Sequence, residues 1–298
     1  MQGSGTQGAA ALRPMLRFAP SPNGFLHVGH AYSALLNERL ARQLGGGLLL
    51  RIEDIDATRC RPEFEDALLD DLAWLGVRFD GVPLRQSERF GVYGAYIGRL
   101  TSAGLTYRCF CSRSDIAAAT RASGETRRDP DGASLYPGTC RCGEQGPAPD
   151  LAGRPFSLRL DMAKAVQQAT AITGDAPLTM PSLDAALHAE TIAVDPLAWG
   201  DVIVARKETP TSYHVSVTVD DALQGVTHVV RGRDLEAATA IHRLLQTLWG
   251  FPAPAYLHHD LIRDASGEKL AKSLGSKPLR QLRAEGVTPQ ELRASLGF

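Results

Sequence analysis

Two histidines, spaced by a valine and a glycine as His27-Val28-Gly29-His30, sit where an apolar run gives way to a helical pattern. That placement suits phosphate chemistry. Met15-Leu16-Arg17-Phe18-Ala19 reads as a strand, Pro20-Ser21-Pro22-Asn23-Gly24 as a turn, and Ala31 to about Leu44 as a helix. A helix start presents free backbone N–H groups and the positive end of its dipole, both suited to a polyphosphate. Gly29 lets the backbone approach a ligand closely, while His27 and His30 add hydrogen-bond donors. A second basic station, Lys269-Leu270-Ala271-Lys272-Ser273, lies in a polar, glycine-bearing segment near the other end. The lysine string alone is common in surface loops and the histidine string alone is only moderately informative; their order and the strand-turn-helix context point to a site for an anion such as a polyphosphate.

The elements that must position these groups alternate. Leu48-Leu49-Leu50-Arg51-Ile52 reads as a buried strand, followed by a helix entered at Pro62, with Phe64, Leu68, Leu72 and Leu75 on one face and Gly76 past its end. Val77-Arg78-Phe79 reads as a short strand, Ser87 as the cap of a helix bearing Tyr93, Ile97 and Leu100, and Leu105-Thr106-Tyr107-Arg108 as another strand. Asp201-Val202-Ile203-Val204-Ala205, the alternating His214-Val215-Ser216-Val217-Thr218-Val219 and Thr227-His228-Val229-Val230 complete the strand set. Asp234 is expected to cap a helix carrying Ile241, Leu244, Leu245 and Leu248, and Thr288-Pro289-Gln290-Glu291 opens a last short helix as a capping box. This alternation predicts an α/β, Rossmann-type parallel sheet with helices on both faces. The expected organisation is a leader over 1–14, a catalytic domain split between 15–108 and 195–275, an insertion over 109–194, and a helical remnant over 276–298.

At 298 residues with 44% hydrophobic content, the chain can bury a full core. A formal net charge of −1 leaves no global basic footprint, so any nucleic acid must meet a local patch. No stretch reads as a signal sequence or membrane span, so a cytoplasmic protein without membrane partners is expected, and a monomer. Of the five cysteines, Cys109-Phe110-Cys111 and Cys140-Arg141-Cys142 cluster about thirty residues apart. Such clustering in a cytosolic protein favours a metal over disulfides, and thiolates favour zinc.

Arg17-Phe18-Ala19-Pro20-Ser21-Pro22-Asn23-Gly24-Phe25-Leu26-His27-Val28-Gly29-His30, with the lysine station, resembles the class I aminoacyl-tRNA synthetases of the glutamate/glutamine branch and their "HIGH" and "KMSKS" signatures. Arg51-Ile52-Glu53-Asp54-Ile55-Asp56, Asp220-Asp221 and Gln224 to Gly232 extend the resemblance to nearly all of 16–273. Ala19 and Ser21 follow the glutamate-using form, and Leu270 and Ala271 depart from the signature only where it carries no charge. The short length and cysteine-bearing insertion are similar to the glutamyl-queuosine tRNA(Asp) synthetases, truncated paralogues of glutamyl-tRNA synthetase.

That resemblance implies a class I catalytic domain with a zinc-bearing insertion and no anticodon-binding domain. It implies ATP bound by His27, Gly29, His30, Lys269 and Lys272, of which His27, His30 and Lys272 are the catalytic groups, with magnesium accompanying the ATP. It implies glutamate bound by Arg17, Phe18, Ala19, Pro20, Ser21, Glu53, Tyr213 and Arg231; the arginine forks suit carboxylates, and Glu53 suits the ammonium. It implies one structural zinc on Cys109, Cys111, Tyr136 and Cys140, since Cys-x-Cys is followed by Tyr-x-x-x-Cys, with Cys142 the rival to Tyr136. The expected reaction is activation of L-glutamate as the adenylate and transfer to queuosine in the anticodon loop of tRNA(Asp), since only about twenty-five residues follow Ser273. Three rival readings are a compact glutamyl-tRNA synthetase charging the acceptor end, a nucleotidyltransferase, and a non-catalytic RNA-binding paralogue.

Overall fold

A computed structural model describes residues 13–124, 127–141, 153–262 and 277–298. Strand β1 (Met15–Phe18) leads through a turn into helix α1 (Val28–Gln43), and β2 (Gly47–Ile52) pairs parallel with β1. Helix α2 (Pro62–Leu75) follows, with Pro at its start and Gly76 left-handed at φ 73° past its end. Leu68, Leu72 and Leu75 bury the face that packs on the first core cluster. Val77 is not in a strand: its amide reaches back to the Leu72 carbonyl at 3.2 Å, so its burial belongs to the end of α2. The third parallel strand is β3 (Leu84–Arg85). Ser87 does not cap the next helix; its amide and hydroxyl both bind Asp54, and α3 (Phe90–Ser102) starts after a 3-10 turn.

The middle of the chain supplies β4 (Thr106–Cys109), α4 (Arg113–Ser123), β5 (Ser157–Leu160), α5 (Met162–Thr173), β6 (Thr179–Leu183), β7 (Ala189–Ala193) and β8 (Ile203–Ala205). Strands β4, β5 and β8 form an antiparallel sheet, and β6 and β7 join a different one. The alternation at His214–Val219 is helical: α6 (Tyr213–Leu223) buries Val215, Ser216, Val217, Thr218 and Val219 together. A segment enclosed on every side has no solvent face to set a helical period, so its β-branched residues imitate a strand. Then come β9 (His228–Gly232), α7 (Thr239–Trp249), β10 (Ala255–His259), α8 (Leu279–Ala284) and α9 (Pro289–Ser295). Asp234 lies in a 3-10 turn, and α7 starts only at Thr239. The capping box at Thr288 forms with Glu291 as read from the sequence.

Strand β10 lies parallel between β6 and β9, and β9 runs beside β1. The seam is fastened at its start, where the Thr227 amide donates to the Met15 carbonyl at 2.9 Å. Farther along, the Val230 carbonyl instead accepts from Asn37 Nδ2 at 3.2 Å and Arg17 Nη1 at 3.4 Å. The two sheet halves therefore part toward the C-terminal ends of β1 and β9, the position at which open α/β sheets bind ligands. Val230 and Leu257 belong to the core against α1 and α2, while Val229 and Tyr256 face the other side. Tyr256 Oη accepts there from Gln246 of α7 at 2.9 Å.

Candidate active site

A cleft of ≈ 440 Å³ opens where β1 and β9 part. It brings together every described residue that the sequence assigns to nucleotide and glutamate: Arg17, Phe18, Ala19, Pro20, Ser21, His27, Gly29, His30, Glu53, Tyr213 and Arg231. His27 caps α1 through an extended backbone, accepting the Gly29 amide on Nδ1 at 3.1 Å, while His30 Nδ1 accepts the His27 amide at 3.2 Å. Those acceptor roles leave Nε2 as the protonated nitrogen of each neutral ring. Burial lowers both histidines, His30 to about 3 with His27 adding to it, so they act as neutral donors. A Cβ on Gly29 would stand 3.0 Å from His27 Cε1, so the glycine admits the folded-back ring.

Lys269 and Lys272 lie outside the described residues. The flanks of their segment are in place: Leu261 and Ile262 line the cleft, Pro278 bridges to His27, and the Leu279 amide donates to the Leu26 carbonyl at 2.7 Å.

Arg231 is 5% exposed and pairs with no carboxylate among the described residues. Its guanidinium donates to Thr239 Oγ1 at 2.7 Å, His242 Nδ1 at 3.3 Å, His258 Nε2 at 3.4 Å and Tyr213 Oη at 3.4 Å. His214 Nδ1 lies 3.3 Å from His242 Nε2, which extends the chain of rings. Burial and the Arg231 charge push His214 down to about 4, His258 to about 3, and His242 well below its ordinary value. All the immediate partners of this buried cation among the described residues are therefore neutral, and none of them offsets its charge. A bound carboxylate is the ligand such a site stabilises most.

Arg17 is placed differently. Asp221 Oδ1 accepts from its Nε at 3.0 Å and from Arg51 Nη2 at 2.8 Å, and Arg51 also meets Glu53 at 3.3 Å and Gln224 at 3.0 Å. Burial opposes ionisation of Asp221, but Arg17 and Arg51 outweigh it and hold the carboxyl below its usual range. Burial raises Glu53 against the pull of Arg51 and Arg17, and its side chain keeps 12% exposure toward the cleft. The Glu53 amide donates to the Pro20 carbonyl at 3.0 Å, tying the turn after β1 to β2. Ser21 Oγ rests 3.7 Å from Cys60 Sγ.

The sequence reading assigned no role to Arg51, Asp221, His242, His258 or Thr239, which are the residues that orient the clamp. Arg51 and the Asp220-Asp221 pair fall in segments that carry the resemblance; the others come from α7 and β10 and meet only on folding.

The Cys109, Cys111 and Cys140 sulfurs lie within 4.8 Å of one another and could hold a metal ion. The Tyr136 hydroxyl stands among them, 3.4 Å from Cys109 Sγ, 3.8 Å from Cys111 Sγ and 2.8 Å from the Cys140 amide. Burial raises the Cys140 thiol, but hydrogen bonds from Tyr136, Phe110 and Cys111 outweigh it and hold it at about 7. The 3.4 Å between Cys111 and Cys140 is too long for a disulfide and near the ~3.8 Å that tetrahedral zinc–thiolate geometry requires. Cys142 lies outside the described residues.

A split parallel sheet with a histidine-headed helix at its opening is the architecture of a class I synthetase, and this cleft adds a buried arginine. Residues 15–297 match the family "tRNA synthetases class I (E and Q), catalytic domain", and the chain belongs to it. Within that class it falls with the glutamyl-Q tRNA(Asp) synthetases: it is 48% identical to the protein of that name from Rhodobacter capsulatus, over 95% of this chain and 99% of that one. It is also 35% identical to the glutamate–tRNA ligase of Aquifex aeolicus, over 93% of this chain and 55% of the ligase. In structure it is similar to a glutamate tRNA ligase from Elizabethkingia meningosepticum solved with its amino acid, with a TM-score of 0.67 and 25% identity, covering 84% of this chain and 50% of the other. The chain thus spans about half the length of the glutamate–tRNA ligases that it matches. Among the described residues no helix is long and apolar enough to cross a membrane.

Proposed function

We propose that the enzyme activates L-glutamate with ATP and transfers it to queuosine in the anticodon loop of tRNA(Asp). The observation that carries the glutamate half is the buried charge of Arg231, paired with no carboxylate among the described residues, in the same cleft as the histidine-headed helix. Arg231 and Tyr213 hold one carboxylate of glutamate, and Glu53, fixed by Arg51, receives the ammonium. A free α-carboxylate oxygen attacks the α-phosphorus of ATP, the new O–P bond forms as the bond to the pyrophosphate oxygen breaks, and pyrophosphate leaves with the electron pair. The protein supplies alignment and charge stabilisation and no nucleophile. His27 and His30 donate through Nε2 to phosphate oxygens, and Lys269 and Lys272 offset the charge of pyrophosphate, which enters on ATP with its magnesium.

In the second step a hydroxyl of the queuosine cyclopentene diol attacks the acyl carbon. The C–O ester bond forms, the bond to the phosphate oxygen breaks, AMP departs with that electron pair, and the hydroxyl proton passes to solvent. The queuosine acceptor is supported by the 48% identity over the full span of a glutamyl-Q tRNA(Asp) synthetase. Resemblance to glutamate–tRNA ligases supports the rival acceptor, the terminal adenosine. Labelled glutamate, ATP and queuosine-bearing tRNA(Asp) decide between them once the product is cut by nuclease. Label is expected in the anticodon fragment; label confined to the 3′ end would install the rival.

The donor set of Cys109, Cys111, Tyr136 and Cys140 fits a closed structural zinc site, which would tether a segment with little core of its own. Cys140→Ser is expected to lower bound zinc from about one ion per chain to under a fifth of that, by elemental analysis. Cys142→Ser is expected to retain it; the reverse outcome would make Cys142 the ligand.

A further inference from the structure

Tyr213 also lines a second cavity, of ≈ 300 Å³, between the cysteine-bearing segment and α6. Two of its lining side chains are buried and incompletely bonded: Ser212, 4% exposed, whose hydroxyl has no partner among the described residues, and Arg159, 7% exposed, whose Nε has none among them. Arg159 is held rigid all the same, donating through Nη1 to the Asp201 carbonyl at 2.6 Å and lying 3.8 Å over the Tyr136 ring. Unpartnered buried polar groups are rare because each costs its full desolvation, so a rigid pair lining one cavity marks a ligand's hydrogen-bonding edge.

The same cavity carries Asp129 and Asp131, and no cation among the described residues pairs with either. Among the described residues Asp129 spends only Oδ1, on the amides of Asp131 and Ala133. Asp234, whose charge reaches the Asp131 carboxyl and raises it together with burial and Asp129, lines the glutamate cleft, so carboxylates stand in both cavities, with Arg206 also lining the second. The ligand expected here is flat, carries an acceptor on one edge, and bears a cation toward the glutamate cleft.

We infer that this cavity receives the queuosine base, its ring carbonyl toward Arg159 Nε and Ser212 Oγ and its secondary ammonium against Asp131. The cyclopentene diol, next to that ammonium, is then directed past Tyr213 to the acyl-adenylate. This inference deepens the function proposed above and rests on it.

The test uses the full chain and two small probes, 7-aminomethyl-7-deazaguanine and its neutral 7-cyano counterpart, titrated by calorimetry. The cationic probe is expected to bind the native protein at least tenfold more tightly than the neutral one. In the variant carrying Asp129→Asn and Asp131→Asn that preference is expected to vanish. The same variant should raise the KM for queuosine-bearing tRNA(Asp) at least tenfold and leave glutamate-dependent ATP–pyrophosphate exchange within twofold. Ser212→Val, at a helix start where the serine makes no capping bond, is expected to weaken both probes. Equal binding of the two probes to the native protein, or an unchanged KM in an aspartate variant that still labels the anticodon, would overturn this inference alone. Failure of the native protein to label the anticodon would overturn the underlying reading and this inference with it.

Discussion

Arg231→Ala is expected to lower kcat/KM for glutamate in ATP–pyrophosphate exchange by at least about 10³-fold, with the fold intact. The guanidinium is pinned by Thr239, His242, His258 and Tyr213 in an orientation that exists before substrate arrives. Truncating one side of a buried charge pair costs about 4 kcal/mol, and each ~1.4 kcal/mol is tenfold in rate. Here the other side of the pair is the substrate, so the loss falls on the reaction and spares folding. Removing a buried cation that has no carboxylate partner among the described residues should leave the melting temperature level or slightly higher. Arg231→Lys is the control, because it keeps the charge and loses the fork, and its activity should fall between the two. Near-normal exchange in Arg231→Ala would remove the clamp from the account.

The same residue shows how far the sequence could be read. The resemblance assigns Arg231 to glutamate, and the structure puts it in the same cleft as the histidines that the helix-start pattern singles out. Local signals with their own chemistry also carried through: Pro62 and Gly76 bound α2, and Thr288 with Glu291 starts α9. The spacing of Tyr136 and Cys140 after Cys109 and Cys111 likewise meets in space as one cluster. What failed was periodicity where no solvent face exists, as in α6, and apolar character at Val77, which serves a helix end. Arg17 shows a different limit. The sequence suggests that it is a free clamp like Arg231, yet it lies against Asp221, because residue type cannot show which of two arginines has a carboxylate beside it. The shell of neutral histidines was illegible for a related reason, since α6, α7 and β10 contribute one each and no spacing links them.

Asp221→Ala is expected to be the most destabilising single change near the cleft, by about 4 kcal/mol, or a fall on the order of 10 °C in melting temperature. Asp221 Oδ1 accepts from two arginines, and Arg51 is fully enclosed. Without that carboxylate, Arg17 and Arg51 become two buried cations with Glu53 as the carboxylate they share among the described residues. Glu53 is then drawn into ion pairs and away from the glutamate ammonium, so the KM for glutamate should rise along with the loss of stability. Asp221→Asn retains an acceptor at the same position and should recover part of the stability but little of the KM, because an amide does not neutralise two guanidinium groups. The adjacent Asp220 separates the two effects. Its carboxylate binds Arg89, Gln86 and Tyr93. Asp220→Asn should therefore loosen the docking of α3 on α6 and lower the melting temperature, while the KM for glutamate stays within about twofold, since Arg89, Gln86 and Tyr93 do not line the cleft of Arg231. A KM that rises equally in both variants would mean that the two carboxylates act on the cleft through general softening of α6, and that the Arg17–Asp221–Arg51 arrangement has no specific part in holding Glu53 for its ligand.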